Sequence, residues 1–592
     1  MRRPVPSSRL RPGASRGAPL LRLRVGFVLI AMVLSFFGAR LVQLQGVDPR
    51  SYAAMAAAEG AVKIPLLAER GDILDRNGVP LADSIQGKMV IADPSLTAAQ
   101  APAIARLLSD ALSIDYFKAL TALKGRKEGS RFEYIARRVP STLASDTLKA
   151  IDAAGYDGVS LQDDPIRDYP AGDVAANLLG YMGTDEPLGG FERTFDKQLA
   201  GVDGQATWQS NSRKGVRIPL RDSTIKAAQD GKPLTLTIDR DLQWFVQKVL
   251  AQSVDQYRAE SGAAAVLDTR TGEVLALADY PTFDANRPSE AKKDDLGSRA
   301  MNDAYEPGSV EKVLTASSLI DAGKAFPRQR FKVPPNLARQ DRVIGDWFDH
   351  GDIRLTLAGI IAKSSNIGTV LAADAFTPPE LVDYLKRFGL GQRTDIGVRG
   401  ESSGLLTTGD AMTSQTKDRV AFGQSLSVNV MQMAAAVNTV ANGGIRVSPS
   451  IIAGSAVTDD GVTVGTDTAT RTRVVSKKAA RGTAKMMEKV VDPEDGVAPG
   501  AQVPGYLVAG KTGTAQRVVD GVYDGSTSVS FGGFAPADDP RFTVYVVIHR
   551  PMVDGGGGSI TGPVFSRIMG YVLGRYGVEP TNGKPSRLPV EW

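Results

Sequence analysis

The hydrophobic pattern divides the chain into an opening apolar run, a turn-rich middle and a second half where strand-like and helix-like periods alternate. Val25 to Ala39 (VGFVLIAMVLSFFGA) carries no charge. LVQLQ after Arg40 lengthens the segment to about 20 residues, enough to cross a bilayer core of roughly 30 Å, and Arg40 can snorkel at its outer end. From about residue 46 to 232, short strand-like and helical runs are broken by turns such as Asn77-Gly78, Tyr169-Pro170-Ala171-Gly172 and Asp203-Gly204, which predicts an elongated α+β module. The polar stretch Asp222 to Pro233 (DSTIKAAQDGKP) marks a boundary. After it LTLTID alternates like a strand, and a helix begins near Asp239.

Beyond that boundary, Ala263 to Leu267 and Val274 to Ala278 flank a Thr271-Gly272 turn, a hairpin pattern. A second strand pair lies near the C-terminus, around Asp538-Asp539-Pro540. Longer helical periods lie between them, among them Val310 to Ala322 and Val430 to Ala441. Strands at both ends with helices between predict an α+β fold: an antiparallel sheet assembled from distant segments and covered by helices. The expected organisation is a basic tail (1–24), a transmembrane anchor (25–45), a pedestal (46–232), a second module (233–578) and a C-terminal tail (579–592).

Charge and composition narrow the chemistry. The chain is +5 overall, yet Arg2, Arg3, Arg9, Arg11, Arg16, Arg22 and Arg24 fall in the first 24 residues without an acidic partner, so residues 25–592 carry a net −2. The basic character belongs to the N-terminus, and no basic stripe for nucleic acid stands out in the folded part. Arginines before the apolar run place the N-terminus in the cytoplasm and everything from about Gly46 outside, by the positive-inside rule. No small-x-small cleavage site directly follows the run, so it is read as an uncleaved anchor. With no cysteine and only His350 and His549, thiolate chemistry and HExxH zinc sites are excluded, and nucleophilic chemistry needs a base other than the usual histidine. Nothing implies a metal or cofactor. His350 reads as structural or next to substrate, and Gly555 to Gly558 lacks the ending of a phosphate loop and reads as a mobile loop beside the site.

Three motifs supply that base. In YEPGSVEKVLTASSLIDAG, Pro307-Gly308 turns into a helix that Ser309 opens, and Lys312 lies one turn on along the same face. Burial and the helix dipole both disfavour an ammonium there, so Lys312 can serve Ser309 as a general base. Glu311 lies about 200° round the helix from Ser309 and is expected to face away; turned inward, it would raise the lysine's affinity for protons. Ser364-Ser365-Asn366 follows an apolar run and offers a hydroxyl and an amide from one turn. Lys511-Thr512-Gly513-Thr514 lies on a predicted strand where Gly513 permits close approach of a ligand. Each motif alone is weak, but the three in this order are not.

The Ser-x-x-Lys, Ser-x-Asn and Lys-Thr-Gly trio resembles the signature of penicillin-binding proteins and serine β-lactamases. The resemblance extends to Arg70-Gly71-Asp72-Ile73-Leu74-Asp75-Arg76-Asn77-Gly78, to Arg167-Asp168-Tyr169-Pro170, to Gly190-Phe191-Glu192 and to LTLTIDRDLQ, segments similar to those of class B penicillin-binding proteins. RLVQLQ and FDKQLAGVDG resemble the division-specific FtsI type. Ser-Ser-Asn in place of the Ser-Asp-Asn of class A lactamases leans towards a transpeptidase. The resemblance implies the penicillin-binding transpeptidase fold behind a pedestal, and a peptidoglycan D,D-transpeptidase that cross-links peptide stems and is acylated by β-lactams at Ser309. In that reaction Lys312 is the base, and Ser364 relays a proton with Lys511 near by. Asn366 holds the substrate backbone, and Thr512 and Thr514 receive a carboxylate beside Gly513. The Ser309 and Thr514 N–H groups form the oxyanion hole. Arg70, Gly71, Asp75, Arg76, Asn77, Gly78, Arg167 and Glu192 are expected in pedestal or interdomain contacts. Implied partners are an FtsW-type glycosyltransferase and other division proteins at the septum, with no cofactor. A membrane-anchored β-lactamase or carboxypeptidase, or a catalytically silent division scaffold, are the alternatives.

Overall fold

The computed structural model describes residues 19–44, 61–127, 129–210, 217–218, 224–340, 342–519 and 521–592. Residues 1–18 of the expected tail, Gln45 of the anchor, and residues 46–60, 128, 211–216 and 219–223 of the pedestal, including Asp222 at its boundary, lie outside the described residues. Helix α1 (Pro19–Val42) begins ahead of the apolar run and takes in Arg22 and Arg24. It is the one helix among the described residues long and apolar enough to cross a membrane, and none of its residues is buried. It falls in a compact unit (1–66 and 203–228) with an antiparallel sheet in which Gly204–Ser210 pairs with Ala61–Leu66, Thr224–Lys226 and Arg217–Ile218.

The second unit (67–202 and 229–592) holds the rest of the pedestal and the second module. Its pedestal part has an antiparallel sheet, Glu133–Pro140 beside Gly87–Ala92 beside Val159–Asp163, packed against helices Ala101–Leu112 and Ser141–Ala153 over a core of its own. A second sheet joins the modules: Leu234–Thr235 runs parallel to Ile73–Leu74, which pairs in turn with Pro80–Ile85. The LTLTID ladder is shorter than its alternation predicts because the chain turns at once into the Asp239 cap.

The pedestal segments singled out in the sequence meet at these joins. Glu192 is fully buried and accepts from Arg70 Nε (2.5 Å), Arg167 Nε (2.7 Å) and Tyr169 Oη (3.3 Å), while Arg70 Nη1 also reaches Asp196 Oδ1 at 2.6 Å. Tyr169 in turn exchanges two 3.0 Å backbone bonds with the Asn286 amide of the second module. Gly71 lies so close to Lys232 that a Cβ there would come within 2.3 Å of its carbonyl oxygen. Asp75 Oδ1 accepts the N–H of Asn77 (2.7 Å) and of Val79 (2.9 Å) and so closes the turn at Gly78, and its Oδ2 accepts Arg240 N–H at 3.2 Å. Arg76 pairs with Glu273 at 3.2 Å.

The second module is built as the periodicity predicts. Helix α2 (Arg240–Gln256) is capped by Asp239, whose carboxylate accepts two first-turn N–H groups and is gripped by Arg575 at 2.7 and 2.8 Å. Strands β1 (Ser261–Asp268) and β2 (Val274–Tyr280) form the first hairpin. Then come α3 (Lys312–Asp321), β3 (Ile353–Thr356), α4 (Leu357–Lys363), α5 (Asn366–Ala373), α6 (Val430–Ala441) and α7 (Lys477–Glu488). Strands β4 (Ala509–Val519), β5 (Val522–Ala535) and β6 (Phe542–His549) and helix α8 (Thr561–Arg575) complete it. The antiparallel sheet has the order β2-β1-β6-β5-β4, so the last-formed hairpin inserts β6 beside the first and leaves β4 at an edge. Every position of β6 and of α6 is buried, which requires cover on all sides and explains why apolar residues dominate both.

The expected C-terminal tail is docked. Val590 O accepts Thr356 N–H at 3.0 Å and Pro589 O accepts the Thr356 hydroxyl at 2.5 Å. Trp592 lies under the guanidinium groups of Arg330 and Arg354, 4.9 and 5.4 Å from its ring centre. Thr356 is the N-cap of α4, the helix that ends at Ser364.

Two outcomes are expected. Glu192→Ala leaves two buried guanidinium groups facing each other, so it should lower unfolding free energy by about 3–5 kcal/mol in a denaturant titration, while the folded fraction still takes up penicillin normally. Deleting residues 589–592 removes the bonds on Thr356 at about 1 kcal/mol each and should lower the thermal midpoint by several degrees.

Candidate active site

Ser309 stands in a 3₁₀ turn, Gly308–Val310, immediately ahead of α3; the α-helical hydrogen bonding starts at Lys312, two residues later than the apolar period predicts. Gly308 has φ +57°, and a Cβ on it would lie 2.8 Å from Thr514 O and 3.2 Å from Thr514 N. This close approach brings the backbone of the Ser309 turn against edge strand β4. Gly513 serves the same contact from the strand side: a Cβ there would lie 2.3 Å from Ser530 Oγ and 2.7 Å from Pro307 O.

Lys312 is fully buried, and its Nζ donates to Ser364 O and to Asn366 Oδ1, both at 2.7 Å. Among the described residues Ser309 Oγ has no hydrogen-bond partner, and the Lys312 amine donates instead to two acceptor oxygens on the second motif. Lys511, also fully buried, donates to Ser364 Oγ (2.8 Å), Thr512 Oγ1 (3.0 Å) and Thr512 O (3.1 Å). Ser364 ends α4 in the left-handed region (φ +60°), with its carbonyl oxygen on Lys312 and its hydroxyl on Lys511. Its hydroxyl accepts from Lys511 and retains its own proton to donate.

Around these groups lies a cavity of about 520 Å³, lined by Ser309, Ser364, Asn366, Thr512 and Thr514, by Trp347, Phe422 and Val497, and by the Gly555–Gly558 loop. Gly557 N–H donates to Thr514 Oγ1 at 3.3 Å. A Cβ on Gly557 would come within 2.4 Å of Ser530 O, so this loop is seated on the strand, beside the site as expected. Thr512 and Thr514 each already accept a bond from the protein, which leaves both hydroxyl protons free for an anion.

Sequence reasoning missed Asp346, Trp347 and Phe422. Asp346 accepts the Ser365 hydroxyl and the N–H groups of Asn366 and Ile367, and His350, which the sequence singled out, meets it at 3.1 Å. His350 drew notice only as a histidine; the signal that could have found the aspartate is its place in a loop ahead of the Ser-Asn helix start, where the Ser365 cap satisfies only Gly368 N–H and leaves the first N–H groups open.

Electrostatics follow from burial. Desolvation, opposed by Asp346 and then by Glu311, brings Lys312 down to about 7 from 10.5. Lys511 is pushed well below its ordinary value by burial and by neighbouring Lys312. Glu311 is fully buried; it does not line the cavity, in accord with its place round the helix. Burial raises its carboxyl well above the usual range, even though Thr315 donates to it at 2.8 Å.

Residues 262–570 match the penicillin binding protein transpeptidase domain, and residues 65–187 the penicillin-binding protein dimerisation domain. The chain belongs to the penicillin-binding protein transpeptidases, of the class B type that carries a dimerisation module ahead of the catalytic one. It is 34% identical to penicillin-binding protein PbpB of Mycolicibacterium smegmatis, over 96% of this chain and 93% of that protein. It is 32% identical to the peptidoglycan D,D-transpeptidase FtsI of Escherichia coli K12, over 94% of this chain and 92% of that one. Penicillin binding protein 3 of Mycobacterium tuberculosis, solved with aztreonam, is similar in structure with a TM-score of 0.68 and 31% identity, over 89% of this chain and 100% of that chain.

A base titrating near 7 gives a signed expectation. Taken as the base for Ser309, Lys312 works only as the free amine, so the second-order rate of acylation by a fluorescent penicillin should rise about tenfold per unit below pH 6 and level off above pH 8. A rate flat from pH 5.5 to 8.5 excludes Lys312 as the base.

Proposed function

We propose that this chain cross-links the peptide stems of septal peptidoglycan through an acyl-enzyme on Ser309. The observation that carries the reading is the convergence of two fully buried lysines on Ser364 beside the Ser309 turn. Ser309 Oγ attacks the carbonyl carbon between the two terminal D-alanines of a donor stem, and its proton passes to the Lys312 amine. The oxyanion is held by the Ser309 and Thr514 N–H groups, at about 3 to 4 kcal/mol per donor. The C–N bond then breaks, Ser364 delivers a proton to the departing D-alanine with Lys511 behind it, and the acyl group remains on Ser309. Thr512 and Thr514 take the terminal carboxylate, and Asn366 the substrate backbone. A side-chain amine of a neighbouring stem then attacks the ester and frees Ser309.

An amine acceptor rather than water is supported by the cavity lining, which among the described residues includes no aspartate or glutamate to activate a hydrolytic water. The α1 anchor, the FtsI and PbpB likeness and the arginine-rich N-terminus support a single-pass protein at the division site, with the catalytic module outside and an FtsW-type glycosyltransferase as partner. The Arg70–Glu192–Arg167 cluster and the Asp75 turn act in this reading by holding the pedestal to the catalytic module.

The test is acylation and cross-linking of lipid-linked glycan stems by the full chain. Ser309→Ala should lose label and product while its melting temperature stays within about a degree. Lys312→Ala should fail at the same step, and the double variant should be hardly worse, because the two act as a unit. Mass spectrometry should find the label on Ser309. Hydrolysed stems without amide product would make the enzyme a carboxypeptidase, and a Ser309→Ala protein that supports division unaided would make it a scaffold.

A further inference from the structure

Helix α7 (Lys477–Glu488) turns a basic stripe to solvent. At about 100° per residue, Lys477, Lys478, Arg481 and Lys485 fall within one arc of about 100°. All four are exposed, the opposite face is buried, and none of the four makes an ion pair among the described residues. The patch extends beyond the helix. Arg473 Nη1 donates to Gly443 O at 3.1 Å, and a Cβ on Gly443 would lie 3.9 Å from Lys477 Cγ, so these two cations are neighbours. Exposed Arg328 follows Pro327, whose Cγ would lie 3.4 Å from a Cβ on Gly482. Two acids flank the helix, and both are engaged. Asp321 accepts Ser476 N–H (2.6 Å) and the Tyr384 hydroxyl (2.9 Å), and half-buried Glu488 accepts Ser586 N–H (2.9 Å).

This stripe works against the helix that carries it. Lys477 and Lys478 stand in the first turn, at the positive end of the helix dipole, where no acidic residue offsets them. Lys477–Arg481 and Arg481–Lys485 are like-charge pairs at i, i+4 spacing, which lowers helix stability. A stripe that destabilises its own helix points to an anionic ligand. Along the chain small and apolar residues separate these cations, so the expectation of no basic stripe in the folded part is corrected by the fold.

We propose that the α7 stripe is an exosite for the polymeric substrate: it binds the terminal carboxylates of uncross-linked stems on a glycan strand while one stem of that strand occupies the Ser309 cavity. The inference rests on the reading of this chain as a transpeptidase of peptide stems. Three observations favour that occupant. Lys477 and Lys485 are about 12 Å apart along the helix axis, which suits a ligand that repeats one carboxylate per stem better than a lone anion. Helix α7 packs against α3, α4 and β4, the elements that follow Ser309, deliver Ser364 and carry Lys511, so a strand bound there is kept close to the cavity. A helix that lies on a lipid surface sets Trp, Phe or Leu beside its cations, and none of the exposed large apolar side chains is on α7. Binding by such a stripe is electrostatic and is screened by salt.

The test uses the full chain carrying Ser309→Ala, which binds without turnover, with and without the combined change Lys477→Gln, Lys478→Gln, Arg481→Gln and Lys485→Gln. The probe is fluorescent, soluble, uncross-linked glycan strands whose stems end in D-alanyl-D-alanine. The arginine-rich N-terminus is common to both proteins and drops out of the comparison. The combined change should lower affinity about tenfold at low salt, and the difference should vanish at about 0.5 M salt and on strands stripped of their stems by an amidase. With Ser309 intact, the same change should raise KM for strand cross-linking several-fold at unchanged kcat and leave acylation by fluorescent penicillin as it is. Its thermal midpoint should not fall, because like-charge pairs are lost. Should the combined variant not fold, the pair Lys477→Gln and Arg481→Gln is read in the same way. Equal affinity of the two proteins for stemmed strands at low salt overturns the proposal. So does a difference that persists on stripped strands, or one that is larger on phosphatidylglycerol vesicles or duplex DNA, which would assign the stripe to lipid or nucleic acid. Absence of penicillin label on Ser309 counts against the transpeptidase reading, and the strand-binding difference, which needs no turnover, still decides the exosite.

Discussion

Two lysine side chains, Lys312 and Lys511, are fully buried and reach the backbone oxygen and hydroxyl of one serine. Two ammonium groups so placed repel each other and are each desolvated, so the pair favours a single charge. The oxygen atoms are distributed unequally. Lys511 has three acceptors, the number an ammonium can use, and Lys312 has two, the number a neutral amine can use while keeping a lone pair. The hydrogen-bond count favours the charge on Lys511 and the basic lone pair on Lys312, next to the Ser309 turn, whereas burial and the neighbouring Lys312 push the Lys511 proton off. A lysine can then do what histidine does elsewhere, in a chain whose two histidines lie outside the nucleophile's reach of hydrogen bonding.

Holding that arrangement requires three distant segments to meet at one edge of the sheet. Strand β4 ends the sheet order, so one side of it is open to the Ser309 turn and to substrate. The glycines of this edge are needed for contact rather than for freedom: Gly308 and Gly513 let the turn and the strand lie backbone to backbone, and Gly557 seats the neighbouring loop. Helix α4 has its N-cap at Thr356, tied to Pro589 and Val590, and its last turn delivers Ser364. The chain's last residues and its second motif are therefore ends of one rigid rod.

How far the sequence could be read depends on the range of the interaction. The hairpins, α2 with its Asp239 cap, α6 and the antiparallel sheet were legible because their signals are local periodicities and caps. The three motifs were legible through their spacing and order. What stayed hidden is what long-range contact decides. The periodicity of α3 does not reveal a 3₁₀ turn pressed against Thr514. Nothing local to residues 589–592 announces a partner at Thr356, and nothing in DWFDHGD points to Asn366. The acceptors that satisfy Lys312 come from a turn more than 50 residues away, which its place on the helix after Ser309 does not announce. Glu311, placed correctly away from the nucleophile by helical geometry, proved buried, which the helical angle alone could not say.

That buried glutamate bears on how the base is tuned. A charged carboxylate beside Lys312 on the same helix would hold the ammonium and weaken the base, the concern the motif raises on its face. Burial answers it in part: a carboxyl with one hydroxyl donor and a second oxygen with no partner among the described residues is pushed well above its usual range, and Glu311 opposes the desolvation of Lys312 less than Asp346 does. Asp346 is treated differently, with two backbone N–H groups, a hydroxyl and a histidine arranged around it, the donor set that stabilises an anion. Two acids near one lysine thus meet different surroundings, one ringed by donors and the other buried with a single hydroxyl. The basicity of Lys312 is set by which of its acidic neighbours the fold chooses to solvate.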